Sequence, residues 1–89
     1  MSLKPPPGFF TILYFAGAKD YTHKEKELLE APLEVNKLLD VLEKKYNGIG
    51  EKILSSCLLT VNLGYVDTTE ETLIREGDEV AIIPPVSSG

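Results

Sequence analysis

Pro32-Leu33-Glu34-Val35-Asn36-Lys37-Leu38-Leu39-Asp40-Val41-Leu42-Glu43-Lys44-Lys45-Tyr46-Asn47-Gly48 is the stretch on which the fold turns. Val35, Leu38, Leu39, Leu42 and Tyr46 recur at i, i+3, i+4, i+7 and i+11, one apolar stripe at helical period. Glu34, Lys37, Asp40, Glu43 and Lys44 lie off that stripe. In this reading Pro32 opens the helix. Asn47-Gly48 stops it, because glycine tolerates the left-handed position past a helix end. A lone helix of this kind needs an apolar surface to cover, and the segments on either side of it supply strands.

Upstream, Phe9-Phe10-Thr11-Ile12-Leu13-Tyr14-Phe15 is rich in β-branched and aromatic residues and reads as a strand apolar on both faces. Ala16-Gly17-Ala18 ends it, and Asp20-Tyr21-Thr22-His23 follows as a turn or short helix. Lys24 to Leu29 reads as a second, edge strand, antiparallel to the first. Downstream, Ile49 to Ser56 is a connector with room for one helical turn. Leu58 to Leu63 is a strand, and Asn62-Leu63-Gly64-Tyr65 turns it into a short strand at Tyr65-Val66. Asp67 to Glu71 is a polar loop, and Leu73-Ile74 is an apolar anchor. Arg75-Glu76-Gly77-Asp78 is a turn bent at glycine. Glu79-Val80-Ala81-Ile82-Ile83 is the last strand, ended by Pro84-Pro85, since proline cannot donate to a ladder. The result is an α+β fold of β-grasp order, a mixed sheet with one main helix packed on one face. Residues 1–8 form a flexible lead, 9–84 the domain and 85–89 an extended tail.

At 89 residues the chain is one domain with a small core. Its apolar fraction of 43% and charged fraction of 26% are ordinary for a globular domain. It has no apolar run long enough to span a membrane. Met1 to Gly8 lacks the apolar stretch of an export signal, so a cytoplasmic location is expected. The net charge of −5 repels phosphates and argues against nucleic acid as a partner. Cys57, the single cysteine, cannot form an internal disulfide and reads as inert packing near the core.

An internal active site is hard to find. His23 is the only histidine and reads as a solvated residue of a polar loop. No Cys/His/carboxylate cluster has metal-ligand spacing, so no metal is expected. Gly48-Ile49-Gly50 lacks the lysine of a phosphate loop. Glu25, Glu27, Glu30, Glu70 and Glu71 read as a solvated face. The informative part is Pro84-Pro85-Val86-Ser87-Ser88-Gly89. Diproline holds the backbone extended. Serines and glycine are slim enough for a narrow channel, and glycine allows close approach. Such a tail is either a frayed end or a stiff base with a thin tip that presents its α-carboxylate inside another protein.

The chain resembles the small, sulfur-carrier subunits of molybdopterin synthase, a ubiquitin-like family, from about Thr11 to Gly89. Ile12-Leu13-Tyr14-Phe15-Ala16 looks like that family's opening strand, and Val61-Asn62 with Tyr65-Val66 its central hairpin. Arg75-Glu76-Gly77-Asp78-Glu79-Val80-Ala81-Ile82-Ile83-Pro84-Pro85-Val86 is similar to its signature, a Gly-Asp-Glu-Val-Ala turn and strand running into Pro-Pro and a small-residue tail. The resemblance implies that an ATP-dependent, E1-like adenylating enzyme converts the Gly89 carboxylate to an acyl-AMP. Sulfur then replaces AMP to leave a thiocarboxylate. The tail, Pro84 to Ser88, threads into the large subunit, and the sulfur attacks precursor Z to build the molybdopterin dithiolene. It also implies a two-plus-two heterotetramer, no stably bound cofactor, and acid–base groups on the large subunit, so that the chain acts as an enzyme, a sulfur transferase, as the small subunit of the synthase, while activity of the chain alone is left open. The family usually ends Gly-Gly, whereas this chain ends Ser88-Gly89. A tolerated variant, an altered sequence and a carrier that has lost its activity all remain open on that point.

Strand alternation puts Phe10, Ile12, Tyr14, Val80 and Ile82 on the core side. Phe15, Tyr65 and Ile83 are then expected to form an exposed apolar patch near the tail, a candidate partner face. Two other classes compete with the carrier. One is a related ubiquitin-like carrier or modifier serving thiamine or tRNA thiolation. The other is a ubiquitin-like interaction domain with an inert tail.

Overall fold

The computed structural model describes residues 5–84. The expected lead residues 1–4 and the tail residues Pro85, Val86, Ser87, Ser88 and Gly89 lie outside them. In chain order the elements are β1 (Phe9–Tyr14), α1 (Gly17–Thr22), β2 (Lys26–Glu30), β3 (Leu33–Glu34), α2 (Val35–Lys45) and α3 (Ile49–Lys52). A 3-10 turn at Leu54–Ser56 precedes β4 (Leu58–Val61), β5 (Gly64–Val66), β6 (Leu73–Ile74) and β7 (Glu79–Ile83). Five strands form one mixed sheet in the order β2-β1-β7-β4-β5, and β3 and β6 form a separate two-stranded ribbon. β1 and β7 run parallel, and the other pairs are antiparallel.

The core follows from two periodicities meeting. Phe10, Ile12 and Tyr14 alternate inward along β1, and Val80 and Ile82 lie beside them on β7. Val35, Leu38 and Leu42 of α2 meet that face and are fully buried. Ile49, Leu54, Leu59 and Ile74 close the cluster. Leu39 and Tyr46, the other stripe residues, are partly buried at its margin. The α+β class and the single main helix on one face agree with the expectation, and α1 and α3 add short turns at the ends.

Pro32 does not open the helix. Leu33 and Glu34 pair with Ile74 and Leu73 instead, and the helix begins at Val35. The reason lies in the first-turn donors, which a helix cannot satisfy internally. Val35 N–H donates to the Thr72 carbonyl at 2.8 Å and Asn36 N–H to the Glu70 carbonyl at 3.1 Å. A segment distant in sequence thus caps α2 where no side chain does. The Leu73-Ile74 anchor is therefore half of a strand pair. Gly8, assigned to the lead by the sequence, accepts from Ala31 N–H at 2.9 Å and is tied to the sheet. Strand β4 ends at Val61 rather than Leu63, because Asn62 and Leu63 both take positive φ, 50° and 72°.

Leu38 sits where helix meets sheet, with no exposure. Leu38→Ala is expected to lower unfolding free energy by about 2–5 kcal/mol through lost burial and the cavity left behind. Urea denaturation would check this.

Candidate functional site: an apolar sheet face at the foot of the tail

The face of the sheet turned away from α2 carries the site. One cross-strand row runs Leu13, Ala81, Thr60, Tyr65 from β1 through β7 and β4 to β5. The two central residues are small. Ala81 and Thr60 are buried all the same, Thr60 to 4% exposure, beneath their larger neighbours. The outcome is a shallow hollow of about 260 Å³. Ala81 and Thr60 lie in it, and Leu13, Phe15, Leu63, Tyr65 and Ile83 stand around them with Glu79 at one side. Phe15 is 46% exposed, Tyr65 72% and Leu63 86%. Large apolar side chains held at that exposure are a feature of interaction surfaces.

The structure thus brings Phe15, Tyr65 and Ile83 around one hollow. Ile83 is half-buried rather than exposed, because Leu58 of β4 lies directly opposite it. Pro84, the last described residue, follows the rim residue Ile83 and is half-buried. The other tail residues and Gly89 lie outside the described residues.

Leu63 is the rim residue that sequence reading missed. It occupies the second centre of a two-residue hairpin turn in which both residues have positive φ, a geometry that favours Asn-Gly. Asn62 fits the first centre, but a leucine in the second is strained. Asn62 also pins the turn to β7. Its backbone N–H donates to the Glu79 carbonyl at 2.7 Å, its Oδ1 accepts from Glu79 N–H at 3.0 Å, and its Nδ2 donates to Asp78 Oδ1 at 3.1 Å. The available signal was a leucine where the turn chemistry called for glycine.

A second group holds β1 from the other face. Glu27 does not belong to a solvated carboxylate face. Its Oε1 accepts from Tyr14 Oη and Tyr46 Oη, both at 2.8 Å. Its Oε2 meets Lys45 Nζ at 3.2 Å and Lys24 Nζ at 3.3 Å. Tyr14 and Tyr46 pack edge to face at 6.2 Å. Burial pushes the Glu27 carboxyl up, but hydrogen bonds from Tyr46, Tyr14 and Lys45 outweigh it and hold the group below its ordinary range. Burial and the adjoining carboxylate push both tyrosines up. The network clamps Tyr14, the neighbour of Phe15, to β2 and the end of α2.

The remaining candidates carry little chemistry. His23 is exposed and ends α1 in the left-handed conformation. Cys57 is half-buried against the core, where burial pushes its thiol up, away from the reactive thiolate. Glu70 is structural: it accepts from Asp67 N–H and from the Thr72 hydroxyl. Among the described residues no group of three His, Cys, Asp or Glu could hold a metal ion, and no helix is long and apolar enough to cross a membrane.

The pKa of Glu27 lies lower in the fold than its ordinary 4.5. Its contribution to stability is therefore complete above that unfolded-state value and is lost as pH falls through the folded one. Glu27→Gln is expected to cost about 1 kcal/mol or more at neutral pH. The gap from the parent should narrow as pH drops below about 4.5. Urea titrations over a pH series would read both effects.

Comparison with known proteins places this geometry. Residues 12–89 match the ThiS family. The chain is 57% identical over 89 residues to a molybdopterin synthase sulfur carrier subunit of Pyrenophora tritici-repentis, covering 97% of this chain and 96% of the relative. The solution structure of small archaeal modifier protein 1 from Methanosarcina acetivorans superposes with a TM-score of 0.72 at 22% identity, covering 96% of this chain and all of that one. A complex of subunits 1 and 2 of molybdopterin-converting factor from Helicobacter pylori contains a chain that superposes at 0.65 and 21% identity, covering 91% of this chain and 99% of that one. At these identities the two structures establish the ubiquitin-like fold.

Proposed function

This chain belongs to the ThiS family and is a close relative of named molybdopterin synthase sulfur carrier subunits, and from that premise we propose that it is the sulfur carrier subunit of a molybdopterin synthase. The observation that carries the reading is the apolar hollow, whose rim residue Ile83 is followed directly in sequence by Pro84 and the C-terminal segment. A carrier has two tasks, to dock and to deliver, and a docking face next to the start of the tail supports this reading.

The chemistry belongs to Gly89. A carboxylate is a poor electrophile until it bears a good leaving group. An E1-like enzyme supplies one when the Gly89 carboxylate oxygen attacks the α-phosphate of ATP and pyrophosphate departs. Hydrosulfide, supplied by the sulfur donor, then displaces AMP and loses its proton, leaving the thiocarboxylate, ionised at neutral pH and nucleophilic at sulfur. Pro84 and Pro85 hold the start of the tail extended. Val86, Ser87 and Ser88 carry Gly89 into the large subunit, whose groups supply acid and base. Sulfur attack on a carbon of precursor Z, which loses an oxygen there, forms a thioester; water then cleaves the acyl C–S bond, leaving sulfur on the pterin and a carboxylate at Gly89, and two such transfers build the dithiolene. No cofactor stays bound to the carrier, and the setting is cytoplasmic. The hollow, with Phe15, Leu63 and Tyr65 on its rim, takes the large subunit, in a heterotetramer of two copies of each.

The direct test is intact mass after incubation with the activating enzyme, ATP and a sulfur donor. Exchange of one oxygen for sulfur at Gly89 is the expected result and would also show that Ser88 is accepted. No exchange in the parent but exchange in Ser88→Gly would identify Ser88 as the obstruction. Failure of both would remove the carrier reading.

Two variants test the docking face. Phe15→Ala is expected to weaken large-subunit binding by more than about 1 kcal/mol, as for an anchor residue; calorimetry would measure it, and unchanged affinity would exclude Phe15 from the interface. Leu63→Gly creates the favoured Asn-Gly turn and relieves about 1 kcal/mol of left-handed strain. Its melting temperature is expected to rise while its affinity for the large subunit falls.

A further inference from the structure

Among the described residues the sheet ends at β2, which pairs with β1 alone. Its inward-facing backbone groups can be read from the register. Tyr14 N–H donates to the Glu25 carbonyl and Ala31 N–H to the Gly8 carbonyl, each at 2.9 Å. Ile12 lies opposite Glu27 and Phe10 opposite Leu29. The odd-numbered residues 25 to 31 therefore bond to β1. By strand alternation, the N–H and C=O groups of Lys26, Leu28 and Glu30 point away from the sheet. All three side chains are exposed, Leu28 by 46%. Among the described residues no strand pairs with this edge; a groove of about 520 Å³ lies against it, between Leu28, Leu29 and Glu30 on one side and Val41, Lys44 and Lys45 on the other.

Unpaired edges invite pairing, and proteins usually discourage it with charge. Here the charges are arranged about a centre. Around Leu28, Lys26 stands two residues before and Glu30 two residues after. The neighbouring charges Lys24, Glu25 and Glu27 are engaged in ion pairs within the chain. Lys26 and Glu30 have no ion-pair partner among the described residues.

We propose that two copies of this chain associate edge to edge through β2, antiparallel, with the two-fold axis at Leu28. Leu28 then faces the partner's Leu28, and Lys26 of each copy faces the partner's Glu30. Each of these opposed pairs exchanges both N–H···O=C bonds, and the charges form two cross-strand ion pairs on the outer face. Pairing centred on Lys26 or on Glu30 would oppose like charges, so of the registers centred on an outward-bonding residue only the one at Leu28 opposes unlike charges. The hollow is centred on β7, β4 and β5, toward the other side of the sheet, and stays open. The charge of −5 on each copy opposes contact and weakens the association. This pairing does not depend on the carrier reading.

Sedimentation equilibrium of the intact chain over a concentration series tests it. The weight-average mass is expected to rise from monomer toward dimer. Lys26→Glu alone and Glu30→Lys alone each oppose two like-charged pairs, and each should lower the association constant about tenfold or more. An equimolar mixture of the two variants should regain the parent's association, because every cross-strand pair in the mixed dimer again has opposite signs. Both substitutions are at exposed positions, so circular dichroism should be unchanged. A parent that remains monomeric throughout, or a mixture that associates no better than either variant, would overturn the proposal.

Discussion

The parallel pairing of β1 with β7 is the contact on which the rest depends. It joins elements near the two ends of the chain, with Thr11 opposite Glu79 and Tyr14 opposite Ile82. Closing so long a loop costs entropy, and a parallel pair has no hairpin to help it. The cost is offset by burial on both faces of the central strands. Phe10, Ile12, Tyr14, Val80 and Ile82 meet α2 on one face, while Ala81 lies under the rim residues on the other. Because the strands are parallel, their C-terminal ends coincide. Phe15 and Ile83 therefore emerge together, and the tail begins where the apolar hollow ends.

Polar ties hold that arrangement from both flanks. On the helix side, Glu27 joins β2, β1 and the last turn of α2 through two tyrosine hydroxyls and two lysines. A partly buried carboxylate is costly unless its lone pairs are filled, and here they are. On the hairpin side, the Asn62 amide bonds both Asp78 and Glu79, fixing the β4–β5 turn to the start of β7. Neither tie does chemistry. Each sets the position of a rim residue, Phe15 in one case and Leu63 in the other.

The helix and the core strands were legible because their residues obey a period. Val35, Leu38 and Leu42 repeat as a helix must, and Phe10, Ile12 and Tyr14 as a strand must. What escaped were contacts made across long sequence separations. Leu33-Glu34 was absorbed into the helix because its partner, Leu73-Ile74, is some 40 residues away and too short to show a period. Glu27 looked like one charge among many in Lys24 to Glu30, and only the tyrosines brought over it by the fold distinguish it. Phe15 and Tyr65 could be assigned to the outer face by alternation, whereas the cover that Leu58 places over Ile83 depends on the β4–β7 register.

β7 shows why the two faces of this small sheet divide their work. Glu79-Val80-Ala81-Ile82-Ile83 lacks the polar alternation of a half-exposed strand, because it is buried on both sides. Inward it needs bulk, and Val80 and Ile82 supply it. Outward it needs the opposite, since a large side chain at Ala81 would fill the hollow that Thr60 and Ala81 leave under Phe15, Leu63 and Tyr65. A concave apolar floor with a raised rim is a shape that can receive a protruding side chain of a partner, as a flat apolar face would not. The smallness of Ala81 is thus as much a part of the site as the size of the residues around it.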